Sequence, residues 1–293
     1  MLFINADDYG LSRGINNGIL ECAKYGLVNG ISIVPNGYAF KDGIKKIPSK
    51  KIKKISIHVN LVELEPVSPT SKIGNIINKN KELNLSPLKL IAINFFYTKN
   101  KKKLISTQIQ IEIENQIKKV IKKINKKKYI IGIDSHYHIH VLPFVFKIII
   151  KLAKKYKIKY LRIPIESNIF YQFSFKYFFE FFVNLPKVIL INFFSLYCKY
   201  RYLKKSSTGH NQKFYGSLFS GNFSSDKFEK ALVLAKRYDN GVTEIISHPG
   251  DIIDSEKKVW KNKNLIDNYF SKNRIIEKNA LSSKKLKKII CNS

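Results

Sequence analysis

Short apolar runs alternate with longer mixed stretches along the whole chain. Strand-like runs occupy residues 2–6, 31–35, 55–61, 129–139, 160–163 and 242–247. In the third, Ile55, Ile57, Val59 and Leu61 recur at the period of two that marks a strand. Helical patterns lie between the runs. Residues 12–25 read as a helix with Ser12 as its N-cap and Gly26 just past its end. Residues 104–124 set Ile105, Ile109, Ile113, Ile117, Val120, Ile121 and Ile124 at helical spacing with a lysine-rich back. Residues 143–156 are another helix, and residues 225–238 a further one with Ser225 as cap, whereas residues 68–103 show no clear period and read as a long excursion. Strands alternating with helices predict a parallel sheet in an α/β fold, and 293 residues fit one domain of barrel size.

One stretch breaks the rhythm. Residues 169–203 are crowded with aromatic side chains, among them Phe170, Phe173, Phe175, Phe178, Phe179 and Phe182, and Pro186 divides them. Residues 188–198 then run uncharged, followed by Lys199, Arg201, Lys204 and Lys205. Neither half reaches the ~18 uninterrupted apolar residues of a spanning helix. The expectation is a helical hairpin, inserted at about 169–203, that makes a peripheral contact with the inner membrane face and admits a lipid-linked sugar. A pair of ordinary core helices and a homodimer contact are the competing readings.

Charge changes the picture less than its size suggests. There are 53 Lys+Arg against 21 Asp+Glu, a net +32. A nucleic-acid or anionic-membrane partner is one reading of such a charge. The lysines are dispersed, however, and they accompany Ile and Asn in the manner of A/T-rich codon usage. No nucleic-acid-binding signature accompanies them, so no nucleic-acid partner is expected. Cys22, Cys198 and Cys291 are few and far apart, which excludes a disulfide scaffold and a cysteine zinc module. The N-terminus has no basic region and too short an apolar run for a signal peptide. The expected location is therefore the reducing cytoplasm.

The candidate chemistry clusters at strand ends. Asp7 and Asp8 end the first strand, and His58 sits in the third. Asp134, His136, His138 and His140 end the fourth, Arg162 lies in the fifth, and His248 follows the last. Five of the six histidines take such positions, and only His210 does not. In parallel α/β folds the carboxyl ends of the strands open on the face that carries the site. Adjacent acids before Gly10 also make turns, and a lone His58 on an apolar strand is also a core histidine. Three histidines are less easily explained as packing: period two puts His136, His138 and His140 on one strand face beside Asp134. Carboxylate and imidazole together suit a divalent metal such as Zn²⁺. A second carboxylate can take a proton from water, and a further histidine can protonate a leaving group. The pattern is that of a metal-assisted hydrolase.

These motifs resemble the YdjC-like carbohydrate deacetylases, relatives of the chitooligosaccharide deacetylases. The matching segments are Asn5-Ala6-Asp7-Asp8-Tyr9-Gly10-Leu11-Ser12, Ile57-His58-Val59-Asn60-Leu61, Asp134-Ser135-His136-Tyr137-His138-Ile139-His140, Leu161-Arg162-Ile163-Pro164 and Ser247-His248-Pro249-Gly250. They stand in family order, and the combination is most similar to the branch associated with hopanoid-lipid biosynthesis. The resemblance implies an irregular TIM-like (β/α) barrel of the polysaccharide-deacetylase type. It also implies removal of acetyl groups from N-acetylated sugars with a divalent metal, Mg²⁺ by the resemblance, although imidazole ligands suit Zn²⁺. Residue by residue, it implies Asp8, His58 and His136 as metal ligands, Asp7 as general base, His248 as general acid and Arg162 as the charge partner of Asp7. A homodimer is also implied. Family members continue into a last strand where this chain stops at Ser293, so a more open barrel is expected. Two rival functions are a phosphoesterase, for which no phosphate-cradling glycine loop is present, and a basic membrane- or nucleic-acid-binding protein on a non-catalytic barrel. Against the second, all five site residues Asp7, Asp8, His58, His136 and His248 are retained.

Overall fold

Strand β3 (Lys54–Val59) shows how this sequence builds a barrel wall. Ile55, Ile57 and Val59 alternate with Lys54, Ser56 and His58, and all six are buried. The apolar set packs in the hydrophobic core under the helices. The polar set faces the other way, into a hydrogen-bonded interior where Lys54 meets Glu244 at 2.6 Å and His58 meets Asp134 at 2.7 Å. The other strands are β1 (Leu2–Tyr9), β2 (Gly30–Ile33), β4 (Ile130–Ser135), β5 (Tyr160–Leu161), β6 (Gly209–His210), β7 (Lys213–Tyr215) and β8 (Thr243–Ser247). The computed structural model describes residues 1–48, 50–173, 175–238 and 240–291. Ser174 of the aromatic stretch and Ser293 lie outside the described residues.

Among the described residues all eight strands form one sheet, in the order β6-β5-β4-β3-β2-β1-β8-β7, with every neighbouring pair parallel. β6 and β7 lie at opposite ends of this order, yet only Asn211 and Gln212 separate them in the chain. The three Cα steps from His210 to Lys213 span at most about 10 Å, so the sheet curls until its edges adjoin. Asn211 fastens that seam, exchanging hydrogen bonds of 2.8 Å with both the N–H and the carbonyl of Ile163. Glu166 then bridges to Phe214 in parallel fashion. The result is the irregular TIM-like barrel that the sequence implied.

Among the described residues ten helices accompany the strands: α1 (Arg13–Tyr25), α2 (Phe40–Lys46), α3 (Pro87–Phe96), α4 (Lys99–Ile121), α5 (Pro143–Tyr156), α6 (Phe178–Arg201), α7 (Ser225–Lys236), α8 (Lys263–Tyr269), α9 (Lys272–Leu281) and α10 (Lys284–Cys291). Ser12 caps α1 by accepting from the Ile15 N–H at 3.1 Å. The excursion at 68–103 is less irregular than its pattern suggested. It contains α3, capped by Ser86, and the first turn of α4, which Thr98 caps before a lysine run that carries no apolar period. Helix α7 is preceded by Ser224 rather than capped by Ser225, and the Ser224 side chain makes no capping bond.

Two expectations are overturned. The strand expected over 129–139 ends at Ser135, because Tyr137 (φ 52°) and His138 (φ 54°) take left-handed conformations inside a tight turn, His136–Val141. His136, His138 and His140 therefore do not share a strand face. The expected helical hairpin is instead the single helix α6, which continues through Pro186. An internal proline removes a hydrogen bond and costs ~3 kcal/mol. Here Phe181 before it and Val188 after it are both fully buried against the core, and this packing offsets the loss.

Candidate active site

A cleft of about 500 Å³ opens at the carboxyl ends of the strands. Asp7, Asp8, His58, His136 and His248 all line it, and Arg162 lies fully buried beneath. The two adjacent acids reach one cleft because β1 does not stay regular. Its register against β2 shifts between Ala6 and Tyr9, and Asp8 takes φ 72°. Strict alternation would send Asp7 and Asp8 to opposite faces; the bulge re-aims one of them. Asp tolerates the left-handed region better than most residues. The loop after β8 is brought in by a close approach to α1: a Cβ on Gly18 would lie 2.6 Å from the Gly250 Cα, so only glycine lets the His248-Pro249-Gly250 turn rest there.

Asp8, His58 and His136 form a buried group whose ligand atoms lie within 4.8 Å of one another. Asp8 Oδ1 is 3.7 Å from His58 Nε2 and 3.4 Å from His136 Nδ1. That oxygen is buried and accepts no hydrogen bond, whereas Asp8 Oδ2 is held by Arg274 at 2.7 Å. Both imidazoles are oriented from behind. His58 Nδ1 meets Asp134 Oδ1 at 2.7 Å, and His136 Nε2 meets the Tyr269 hydroxyl at 2.7 Å. Tyr269 in turn donates to Glu63. A free carboxylate oxygen facing two imidazole nitrogens, each ring fixed through its other nitrogen, fits a divalent ion. A second grouping, Asp7 with His58 and Asp134, fits poorly, because Arg162 already occupies both Asp7 oxygens and one of Asp134.

Arg162 grips Asp7 with two parallel bonds, Nη1 to Oδ2 at 2.7 Å and Nη2 to Oδ1 at 2.8 Å. It also meets Asp134 at 2.9 Å and Glu244 at 2.7 Å. Burial raises the Asp7 carboxyl, but Arg162, with His58 and His248 adding, outweighs it and holds the group well below the usual carboxylate range. For Asp8 burial is likewise outweighed, by Arg274 and His136. His248 Nε2 stands 4.0 Å from Asp7 Oδ2, and its backbone N–H is fixed by Glu277 at 2.5 Å. Burial pushes the His248 imidazole down to about 4 against the pull of Asp8 and Asp7. The resting pair is therefore an ionised Asp7 facing a neutral His248.

The remaining histidines separate. His140 is structural: Nδ1 bonds Ser135 Oγ at 2.7 Å and Nε2 accompanies the Arg162 carbonyl at 2.9 Å, which ties β5 to the turn. His138 lines the cleft away from the ligand group, 3.0 Å from Ser217 Oγ. Sequence reasoning missed Arg274, Tyr269 and Glu63, and gave Asp134 no role of its own. Asp134 carried a signal, since period two places it opposite His58 in the parallel register. Arg274 and Tyr269 carried none, arriving from a lysine-rich segment with no motif.

Comparison with known proteins agrees with this geometry. The family profile described as YdjC-like protein matches residues 1–292. The chain belongs to the YdjC-like family. This YdjC-like chain is 27% identical over 156 residues to a carbohydrate deacetylase of Oceanobacillus iheyensis, covering 53% of this chain and 61% of that one. It is 26% identical over 175 residues to a carbohydrate deacetylase of Danio rerio, covering 57% and 51%. The matched part thus spans between half and two thirds of those relatives. A chitooligosaccharide deacetylase of Proteus mirabilis matches more broadly, at 24% identity over 259 residues, 88% of this chain and 84% of that one. The solved structure of a proposed cellobiose-phosphate cleavage protein from Enterococcus faecalis superposes with a TM-score of 0.64 at 19% identity, covering 99% of this chain and 94% of that one, and so shares the fold.

Proposed function

We propose that this chain is a metal-dependent deacetylase that hydrolyses the amide of an N-acetylated sugar to acetate and a free amine. One observation carries the reading. The unpartnered Asp8 Oδ1 faces His58 and His136 on one side of the cleft, and the Asp7–His248 pair stands beside it. The names of the relatives, carbohydrate deacetylase and chitooligosaccharide deacetylase, support the substrate class.

Asp8 Oδ1, His58 Nε2 and His136 Nδ1 would hold the ion, and two imidazoles with one carboxylate favour Zn²⁺ or a similar transition ion over Mg²⁺. When bound, a divalent ion there supplies Lewis-acid polarisation of the acetyl carbonyl and acidifies water. Asp134 and Tyr269 position the two ligand rings. Asp7 is aimed by the Arg162 fork and accepts the proton of the attacking water at Oδ2, the oxygen that faces His248. His248 binds a proton more readily than the clamped Asp7, so the proton passes across to Nε2. His248 then delivers it to the sugar nitrogen as the carbon–nitrogen bond breaks. One proton taken from water and returned to the nitrogen gives the amine and acetic acid; the remaining water proton leaves to solvent as the acid ionises to acetate, and the pair ends as it began. Tyr137, 43% exposed at the rim, offers a flat face to a sugar ring, and Asn264, Asn268 and Asn273 offer amides to its hydroxyls. The test is mass spectrometry of a panel of N-acetylated sugars and glycolipids after incubation with the protein. Loss of one acetyl group from at least one member is the expected result; an unchanged panel under metal-replete conditions sinks the reading.

A further inference from the structure

Helix α6 is apolar on both sides, and only one side is used by the fold. Residues 175–201 are long and apolar enough to cross a membrane by length and composition: an 18-residue window within them has a mean hydropathy of 1.5, yet only 33% of that window is buried. The inward stripe is Phe181, Val188, Ile191, Ser195 and Cys198, at the spacing of a helix lying along a surface. Asn192 fastens it, its Oδ1 accepting from the Glu166 N–H at 2.8 Å, and Cys198 Sγ donates to the Val141 carbonyl at 3.0 Å. The helix is thus part of the barrel's coat and does not leave it.

The opposite face carries Phe182, Ile189, Phe193, Leu196 and Tyr200, recurring at i, i+7, i+11, i+14 and i+18. At 100° per residue these five fall within one 60° sector, roughly opposite the buried stripe. All are exposed, Phe193 by 63%, with Phe179 at 83% and Val183 at 76% beside them. A contiguous apolar surface of this kind on a folded protein marks an interaction site. The charges on α6 avoid it. Glu180, the one acid between residues 167 and 225, is turned aside to Lys227 at 2.9 Å. Lys176, Arg201 and Lys204 stand exposed at the two ends, and Lys187, on the inward side of the helix, lines the cleft.

We propose that this face of α6 docks onto an anionic lipid bilayer and presents the cleft to sugar headgroups carried on lipids. The chemistry of the rim selects the occupant. An apolar face bounded at both ends by exposed basic residues suits the boundary between acyl chains and anionic headgroups. A second copy of the chain suits it less, since two molecules of +32 repel. Lys187 lines the cleft from the inward side of α6, so seating the outer face in the interface leaves the cleft one helix diameter, ~10 Å, from the headgroups. The presentation of substrate rests on the deacetylase reading; the docking does not.

The test is flotation of the full chain with phosphatidylcholine vesicles, with and without about 30 mol% phosphatidylglycerol. The comparison protein is the triple variant Ile189→Ser, Phe193→Ser, Leu196→Ser, whose sites lie outside the cleft and the core and whose melting temperature reports intact folding. The expected result is flotation of the wild type with anionic vesicles and at least a tenfold lower partition coefficient for the variant. Absence of wild-type flotation at low salt overturns the proposal. Equal flotation of both proteins also overturns it, because binding would then be adsorption of a basic protein by charge alone. A wild-type dimer that the variant abolishes, without vesicle binding, assigns the face to a second copy instead. A final arm measures acetate release from an N-acetylglucosaminyl diacylglycerol in anionic vesicles and from a soluble N-acetylated chitooligosaccharide. The variant should lose at least tenfold on the first and nothing on the second; equal loss on both contradicts the presentation of the cleft. Flotation without acetate release from either substrate leaves the docking surface standing and removes the deacetylase reading.

Discussion

Replacing Arg162 with Met should unfold this barrel from the inside. The guanidinium is fully buried and meets three carboxylates, Asp7, Asp134 and Glu244, all buried with it. Lys54, 2.6 Å from Glu244, is also paired within that interior network. Removing one partner of a buried ion pair costs roughly 3–5 kcal/mol. A second route gives a similar figure. A stranded carboxyl escapes by binding a proton, and from its ordinary value of 3.8 this costs about 4.4 kcal/mol at pH 7. The escape becomes easier in acid, so the gap between wild type and Arg162→Met should narrow by about 1.4 kcal/mol per pH unit from pH 7 toward pH 4. Urea denaturation of chelator-treated protein at several pH values measures this. Adding Asp7→Asn to Arg162→Met removes one stranded charge, and the double variant should be about 1–3 kcal/mol more stable than the sum of the two singles predicts. A loss below 1 kcal/mol, or a gap that does not move with pH, would refute the view that Arg162 balances the buried acids.

Other outcomes follow from the same geometry. Asp7→Asn should retain metal and lose roughly 10²–10⁴-fold in turnover, whereas Asp8→Asn should lose metal by elemental analysis; the reverse pattern exchanges their roles. Asp134→Asn unties His58 and should weaken metal affinity roughly 10–100-fold in a chelator competition, and unchanged affinity would separate Asp134 from the site. Glu166 is pushed by burial from 4.5 up to about 7, against the N–H groups of Gly216, Ser217 and Leu218. The folded state therefore holds a proton that the unfolded state releases, and wild-type stability falls as pH rises from 4.5 through 7, by up to about 3 kcal/mol. Glu166→Gln lacks this slope, so its stability relative to wild type should improve over that interval; a constant difference contradicts the burial effect.

Much of the fold was legible because its signals are local. The helix over 143–156 ends where its apolar period ends, and Ser12 caps α1 as its place before an apolar period suggests. Strand-end chemistry was legible because parallel strands deliver their carboxyl ends to one face. What failed were cases in which tertiary packing overrode a local rule. Pro186 should stop a helix, but Phe181 and Val188 on the core outweigh it. Period two should align three histidines, but the left-handed pair Tyr137 and His138 ends the strand first. The interior network was hidden for a different reason. Lys54 and Glu244 look like solvated charges in a lysine-rich sequence, and only the closure of the barrel reveals that they face inward. Arg274 and Tyr269 reach Asp8 and His136 from more than 130 residues away in sequence, so no spacing announces them.

The central claim is that one ion, held by Asp8, His58 and His136, is required for amide hydrolysis by this chain. It is tested most directly by stripping the protein with a chelator, restoring zinc stepwise and measuring acetate released from an N-acetylated chitooligosaccharide at each step. Acetate release should be absent from the stripped protein, rise in proportion to the zinc bound and level off at one ion per chain, with His58→Ala flat throughout. Full activity in the stripped protein, or a His58→Ala variant that recovers like wild type, would contradict the account.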